Sequence, residues 1–111
     1  MFSTDDVLKA LSRHIGQGNG ARADVLVMEI TGQPSGPVAE RRLRDLVVDL
    51  RMAGHHVCAH PRDGYFIAES EAELNDTCVF LYERAMTSLT QVSRMKNTSL
   101  PDLRGQLRLP T

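Results

Sequence analysis

The strongest constraint in this sequence is a change of period at Gly54. Upstream of it, Val38 to Ala53 carries Ala39, Leu43, Leu46, Val47 and Leu50 on one side of a helical wheel. Pro37 stands at the first helical position, where a missing N–H is harmless. Downstream, the β-prone runs Val57-Cys58-Ala59 and Tyr65-Phe66-Ile67-Ala68 flank His60-Pro61-Arg62-Asp63-Gly64, whose Pro and Asp-Gly are strong turn formers. A helix halted by glycine and followed directly by a hairpin implies a mainly α chain with a small β-hairpin, an α+β class.

The rest of the chain reads as helix. Ser3 or Thr4 can cap a first helix over Thr4–Ile15, with Asp5 and Asp6 at its positive end and Val7, Leu8, Leu11 and Ile15 at helical spacing. Gly16-Gln17-Gly18-Asn19-Gly20 ends it as a connector expected to be mobile. Between Ala21 and Ile30 the run Val25-Leu26-Val27-Met28-Glu29-Ile30 suits a buried strand by residue type. The spacing of Ala23, Leu26, Val27 and Ile30 favours helix, with Gly32 as its stop; strand stays open as the alternative. The turn Gln33-Pro34-Ser35-Gly36-Pro37 follows.

Ser70 can cap a last helix that meets no breaker before Asn97, about 27 residues or roughly 40 Å at 1.5 Å each. One stripe on it is Leu74, Cys78, Leu81, Ala85, Val92 and Met95; a second is Val79, Tyr82, Met86 and Leu89. Two stripes exceed what one small domain needs to cover, so Leu74, Cys78, Leu81, Tyr82, Ala85, Met86, Leu89 and Val92 are expected to hold a homodimer. The organisation expected is a domain over 1–69, the long helix over 70–97 and an extended or disordered tail over 98–111, whose leucines can dock on a protein partner.

With 111 residues, 41% of them hydrophobic, the chain can bury one core without disulfides. Two cysteines, no signal peptide and no apolar run of membrane length set the expectation of a reducing, cytoplasmic protein. The net charge of −1 hides polarity, because residues 69–83 sum to −5 and 84–111 to +4. From Arg41 to Arg62 there are five arginines, Arg41, Arg42, Arg44, Arg51 and Arg62, against Asp45 and Asp49. That stretch can meet phosphate locally.

Catalytic chemistry finds no spacing to support it: no nucleophile–base or paired-carboxylate arrangement stands out, and the Gly16–Gly20 segment lacks the Gly-Lys-Ser/Thr ending of a phosphate loop. The chain is expected to be no enzyme and to carry no cofactor. His56, Cys58 and His60 alternate and can share a strand face, but a fourth zinc ligand is not evident, so Cys58 reads as packing and the histidines as surface groups.

The order helix, helix, turn, helix, hairpin, together with the segment Val38-Ala-Glu-Arg-Arg-Leu-Arg-Asp-Leu-Val-Val-Asp-Leu-Arg-Met-Ala-Gly54 and the ending Gly64-Tyr-Phe-Ile-Ala68, resembles the winged helix-turn-helix superfamily. Over residues 5–69 it looks like small bacterial proteins of phages and prophages. It departs from the pattern in the long Gly32–Pro37 turn and in a wing tip with one arginine. The resemblance implies sequence-specific binding of double-stranded DNA, in transcriptional regulation or a phage-type replication or recombination role. It places Arg41 against guanine in the major groove, Arg42, Arg44, Gln33 and Ser35 near the groove wall or phosphates, and Arg62 on an adjacent backbone or minor groove. The bland alternative is a solvated face paired with Glu40, Asp45 and Asp49. The alternative function is a winged-helix protein-docking module that never binds DNA. Val48 and Met52 also face outward, where another element is expected to cover them.

Overall fold

A reciprocal cap starts the first helix. Ser3 Oγ accepts the Asp6 N–H while the Asp6 carboxylate accepts the Ser3 N–H at 2.9 Å, and α1 spans Thr4–Leu11. In the computed structural model, which describes residues 1–102, there follow a 3-10 turn at Gln17–Asn19, α2 at Ala23–Thr31 and α3 at Pro37–Met52. Then come β1 at Val57–His60, β2 at Gly64–Ile67, α4 at Glu71–Lys96 and a 3-10 turn at Leu100–Asp102. The chain is mainly helical with one antiparallel hairpin and a long C-terminal helix, the α+β class expected. Met1–Thr77 makes one compact unit, which takes in the first turns of α4, and the chain from Cys78 on makes a second.

In the first unit, α1 ends at Leu11 rather than at Ile15. Ile15 lies parallel to Ile67: the His14 carbonyl accepts the Ile67 N–H and the Gly16 N–H reaches the Ile67 carbonyl, both at 2.8 Å. Past the 3-10 turn, Ala21 and Tyr65 exchange N–H···O bonds of 2.9 and 2.8 Å. The Gly16–Gly20 segment is therefore tied at both ends to the outer edge of β2, not a free connector. Gln17 adds two further ties: its side-chain amide donates to the Asp63 carboxylate at 2.9 Å and its N–H to the Glu73 carboxylate at 3.0 Å.

α2 is a helix that turns Ala23, Leu26, Val27 and Ile30, spaced i, i+3, i+4 and i+7, to the core, with Leu26 and Val27 fully buried. Gly32, at φ 70°, terminates it by donating to Met28 O. Gly36 and Pro37 open α3, and a Schellman turn closes it: the His55 N–H reaches Leu50 O, the Gly54 N–H reaches Arg51 O, and Gly54 sits at φ 95°. The core between the helices is Val7, Leu11, Leu26, Val27, Leu43 and Val47, none more than 2% exposed. Each such side chain contributes about 1.5–3 kcal/mol.

The hairpin pairs Val57 with Ile67, Cys58 with Phe66, Ala59 with Tyr65 and His60 with Gly64. Cys58 and Phe66 face inward and complete the core. Arg51 Nε donates to Val57 O at 2.8 Å, fixing the angle between α3 and β1. The outer edge of β1 is also engaged, since the Val57 N–H meets His55 O and the Ala59 N–H meets the buried Thr77 hydroxyl.

Ser70 Oγ accepts the Glu73 N–H and caps α4. In the second unit, α4 stops where Asn97 adopts φ 52° and the Thr98 N–H reaches back to Ser93 O. Of the tail expected to be extended or disordered over 98–111, Leu100–Asp102 forms a 3-10 turn, and the part from residue 103 on lies outside the described residues.

Candidate nucleic-acid interface

α3 buries Leu43, Leu46, Val47 and Leu50, which fixes what its opposite side presents. At about 100° per residue, Arg41, Asp45, Val48 and Met52 point directly away from that face, Arg44 lies on one flank and Arg42 on the other. All six are exposed. Val48 and Met52 are 53% and 83% exposed, so among the described residues nothing covers the second half of α3.

The arginines are not equivalent. Arg42 donates from Nε and Nη2 to Phe2 O at 3.3 and 3.2 Å, a clamp that holds the buried Phe2 and the entry to α1. Arg51 is committed to Val57. Arg41 and Arg44 have no hydrogen bond or ion pair among the described residues. Glu40, one of the acids that could have paired with them, instead accepts the Ser35 hydroxyl at 2.5 Å. Ser35 thereby keeps its oxygen but spends its proton inside the chain. The exposed Gln33 uses its N–H on Thr31 Oγ1 at 3.1 Å, and no bond engages its side chain among the described residues.

The wing tip is held in place from below. Asp63 accepts Gln17 Nε2, lies 3.4 Å from His60 Nδ1 and 3.5 Å from Arg62 Nε. The Gln17 hydrogen bond, followed by the bond from Arg62, holds the Asp63 carboxyl below the usual carboxylate range. His60 Nδ1 accepts the Arg62 N–H at 3.1 Å. Above this platform the Arg62 side chain is 81% exposed.

A groove joins these parts: Arg22, Asp24 and Val25 of the α2 start, Glu40 of α3, and Pro61 and Gly64 of the hairpin turn line it together. Arg22 was not singled out in the sequence, where it is one basic residue ahead of a weak helix signal. It occupies the N-cap of α2, is exposed, and like Gly36 before α3 makes no side-chain cap bond. Two helix starts thus leave first-turn N–H groups for an external acceptor, in an arrangement that suits anions. Asp24 and Glu40 temper that charge.

On α4, Cys78, Leu81, Tyr82, Ala85 and Leu89 of the expected dimer face are exposed, whereas Leu74, Met86 and Val92 are half-buried. Phe80 and Val79 are also exposed, and Arg84 lies 5.7 Å over the Phe80 ring. Cys58 donates to Glu73 O at 3.7 Å from within the core, and His56 stands ahead of β1, so the strand carries Cys58 and His60 without His56. Among the described residues no group of three His, Cys, Asp or Glu is gathered as a metal ion requires, and no helix is long and apolar enough to cross a membrane. No family model, no curated protein and no solved structure matches the chain.

Proposed function

We propose that the chain is a non-enzymatic, cytoplasmic double-stranded DNA-binding protein of winged-helix type, acting as a homodimer in transcriptional control or in a phage-type replication or recombination process. One observation carries the reading: Arg41 and Arg44 stand exposed on the outer side of α3 with no acidic partner among the described residues. A helix laid in the major groove puts such guanidinium groups against guanine O6 and N7 or against phosphate. Arg62 and Arg22 flank it from the hairpin turn and the α2 start, placed to hold the backbone rather than to read bases. Two copies double a modest interface and read two half-sites.

A second reading has its own support. Val48 and Met52 make an exposed apolar patch on the same helix, which suits docking on a protein. A salt titration of binding to mixed-sequence duplex DNA, with wild type, Arg41→Ala and Arg44→Ala, separates the two. DNA binding gives a steep log–log slope whose magnitude drops by about 1 for each arginine that meets phosphate, and weaker binding in both variants. No affinity at low salt, or none lost in either variant, leaves protein docking as the function.

A further inference from the structure

Charge along α4 is fully segregated. Every acid on it, Glu71, Glu73, Asp76 and Glu83, precedes every base, Arg84, Arg94 and Lys96. Its ends carry the macrodipole in the favourable sense, acids at the positive start and bases at the negative end. The apolar stripe Cys78, Leu81, Tyr82, Ala85 and Leu89 lies exposed along the same helix. A second copy that covered this stripe in parallel would set acid beside acid and base beside base over the whole helix.

We infer that α4 pairs with α4 of a second copy in antiparallel orientation, about a two-fold axis passing between Glu83 and Arg84. The inference rests on the homodimer reading above and goes further by fixing the direction and register of the partner. In this register Glu71 comes level with Lys96 of the partner subunit, while the Glu73 carboxylate stays on the Gln17 and Glu69 N–H groups of its own chain. One axis position sets this pairing. It also satisfies the packing: the bulky Tyr82 comes level with Ala85 of the partner subunit, a large side chain opposite a small one, and Cys78 comes level with Leu89 of the partner subunit. By helical phase, Glu71 and Lys96 lie in the same stripe as Cys78, Ala85 and Leu89, so that ion pair closes both ends of the apolar seam. Such pairs set orientation more than affinity.

The native cysteine makes the test direct. Cys58 is buried, so Cys78 is the thiol that a partner can reach. On sedimentation, wild type and variants are first shown to be dimers. Under mild oxidation and non-reducing electrophoresis, Leu89→Cys forms a covalent dimer through Cys78, wild type does not, and the double variant Cys78→Ser, Leu89→Cys does not, because its introduced thiols lie ~16 Å apart along the seam at 1.5 Å per residue. Cross-linking in wild type or in the double variant means parallel helices and overturns the proposal; so does a dimeric Leu89→Cys that fails to cross-link. An independent check leaves the seam's apolar residues intact. Glu71→Lys weakens dimerisation about three-fold per ion pair at low salt, and adding Lys96→Glu restores it; absence of restoration overturns the register. A monomer at every concentration removes the dimer reading itself, and the cross-linking pattern then has no bearing on DNA binding by one copy.

Discussion

Replacing Gly64 with alanine tests how tightly the hairpin is seated. Gly64 adopts φ +84°, where an alanine costs about 1–2 kcal/mol. Space adds a second cost: a Cβ there would lie 2.3 Å from the Ala21 carbonyl oxygen and 2.6 Å from the Arg22 nitrogen, both backbone atoms that cannot rotate away. Relief requires the Ala21–Tyr65 bridge to open, with loss of its 2.9 and 2.8 Å hydrogen bonds at about 1 kcal/mol each. The expected destabilisation is about 3–4 kcal/mol. Gly32→Ala is the internal control, since Gly32 has φ +70° but nothing within 4 Å of the added carbon, and it should cost only the conformational part. Urea denaturation of both variants reads the difference: with a slope of roughly 1–3 kcal/mol per molar, the extra ~2 kcal/mol should cost the Gly64 variant about 0.7–2 M of midpoint relative to the Gly32 variant. Equal midpoints would refute the claim that backbone approach, rather than the sign of φ alone, requires glycine at this position.

Further outcomes follow from the same contacts. Arg42→Ala should cost about 1–2 kcal/mol and raise amide exchange in α1, with DNA affinity falling less than in Arg41→Ala; the reverse order would make Arg42 a DNA contact first and a clamp second. Asp63 and Glu73 both titrate below the ordinary carboxylate range, the former through Gln17 and the latter through the N–H groups of Gln17 and Glu69. Their contribution is present above the ordinary carboxylate range and is lost as pH falls through the lowered values, so stability should drop below about pH 4. Asp63→Asn should flatten that acid loss in urea melts at pH 7 and pH 3, and a parallel profile would count against the Gln17–Asp63 tie. Phe66→Ala should cost about 3–5 kcal/mol, measured by thermal unfolding, because the side chain is only 2% exposed.

What the sequence reveals here is what lies close along the chain. α3 and the hairpin were legible because Pro37, Gly54 and Asp63-Gly64 punctuate them locally, and α4 because nothing interrupts Ser70–Asn97. The end of α1 was not, since Ile15 leaves the helix for a partner, Ile67, far along the chain. The anchoring of Gln17 by Asp63 and Glu73 was hidden for the same reason, at sequence separations of 46 and 56. Within the candidate interface, Arg41 and Arg44 could be placed by helical phase. The diversion of Arg42 to Phe2, at a separation of 40, and the approach of Arg22 to the wing could not. Periodicity tells which way a side chain points from its own helix, and says nothing about what another element has put there.

The two-stranded sheet has a consequence for how copies of this chain can meet. A bare strand flank is a template on which another molecule can polymerise. Here Ile15 and Ala21 occupy that flank on β2, while Val57 and Ala59 of β1 spend their outward N–H groups on His55 and Thr77. Growth of the sheet from chain to chain is thus blocked at these positions, and contact between molecules is directed to helix surfaces, where side-chain chemistry rather than backbone complementarity selects the neighbour.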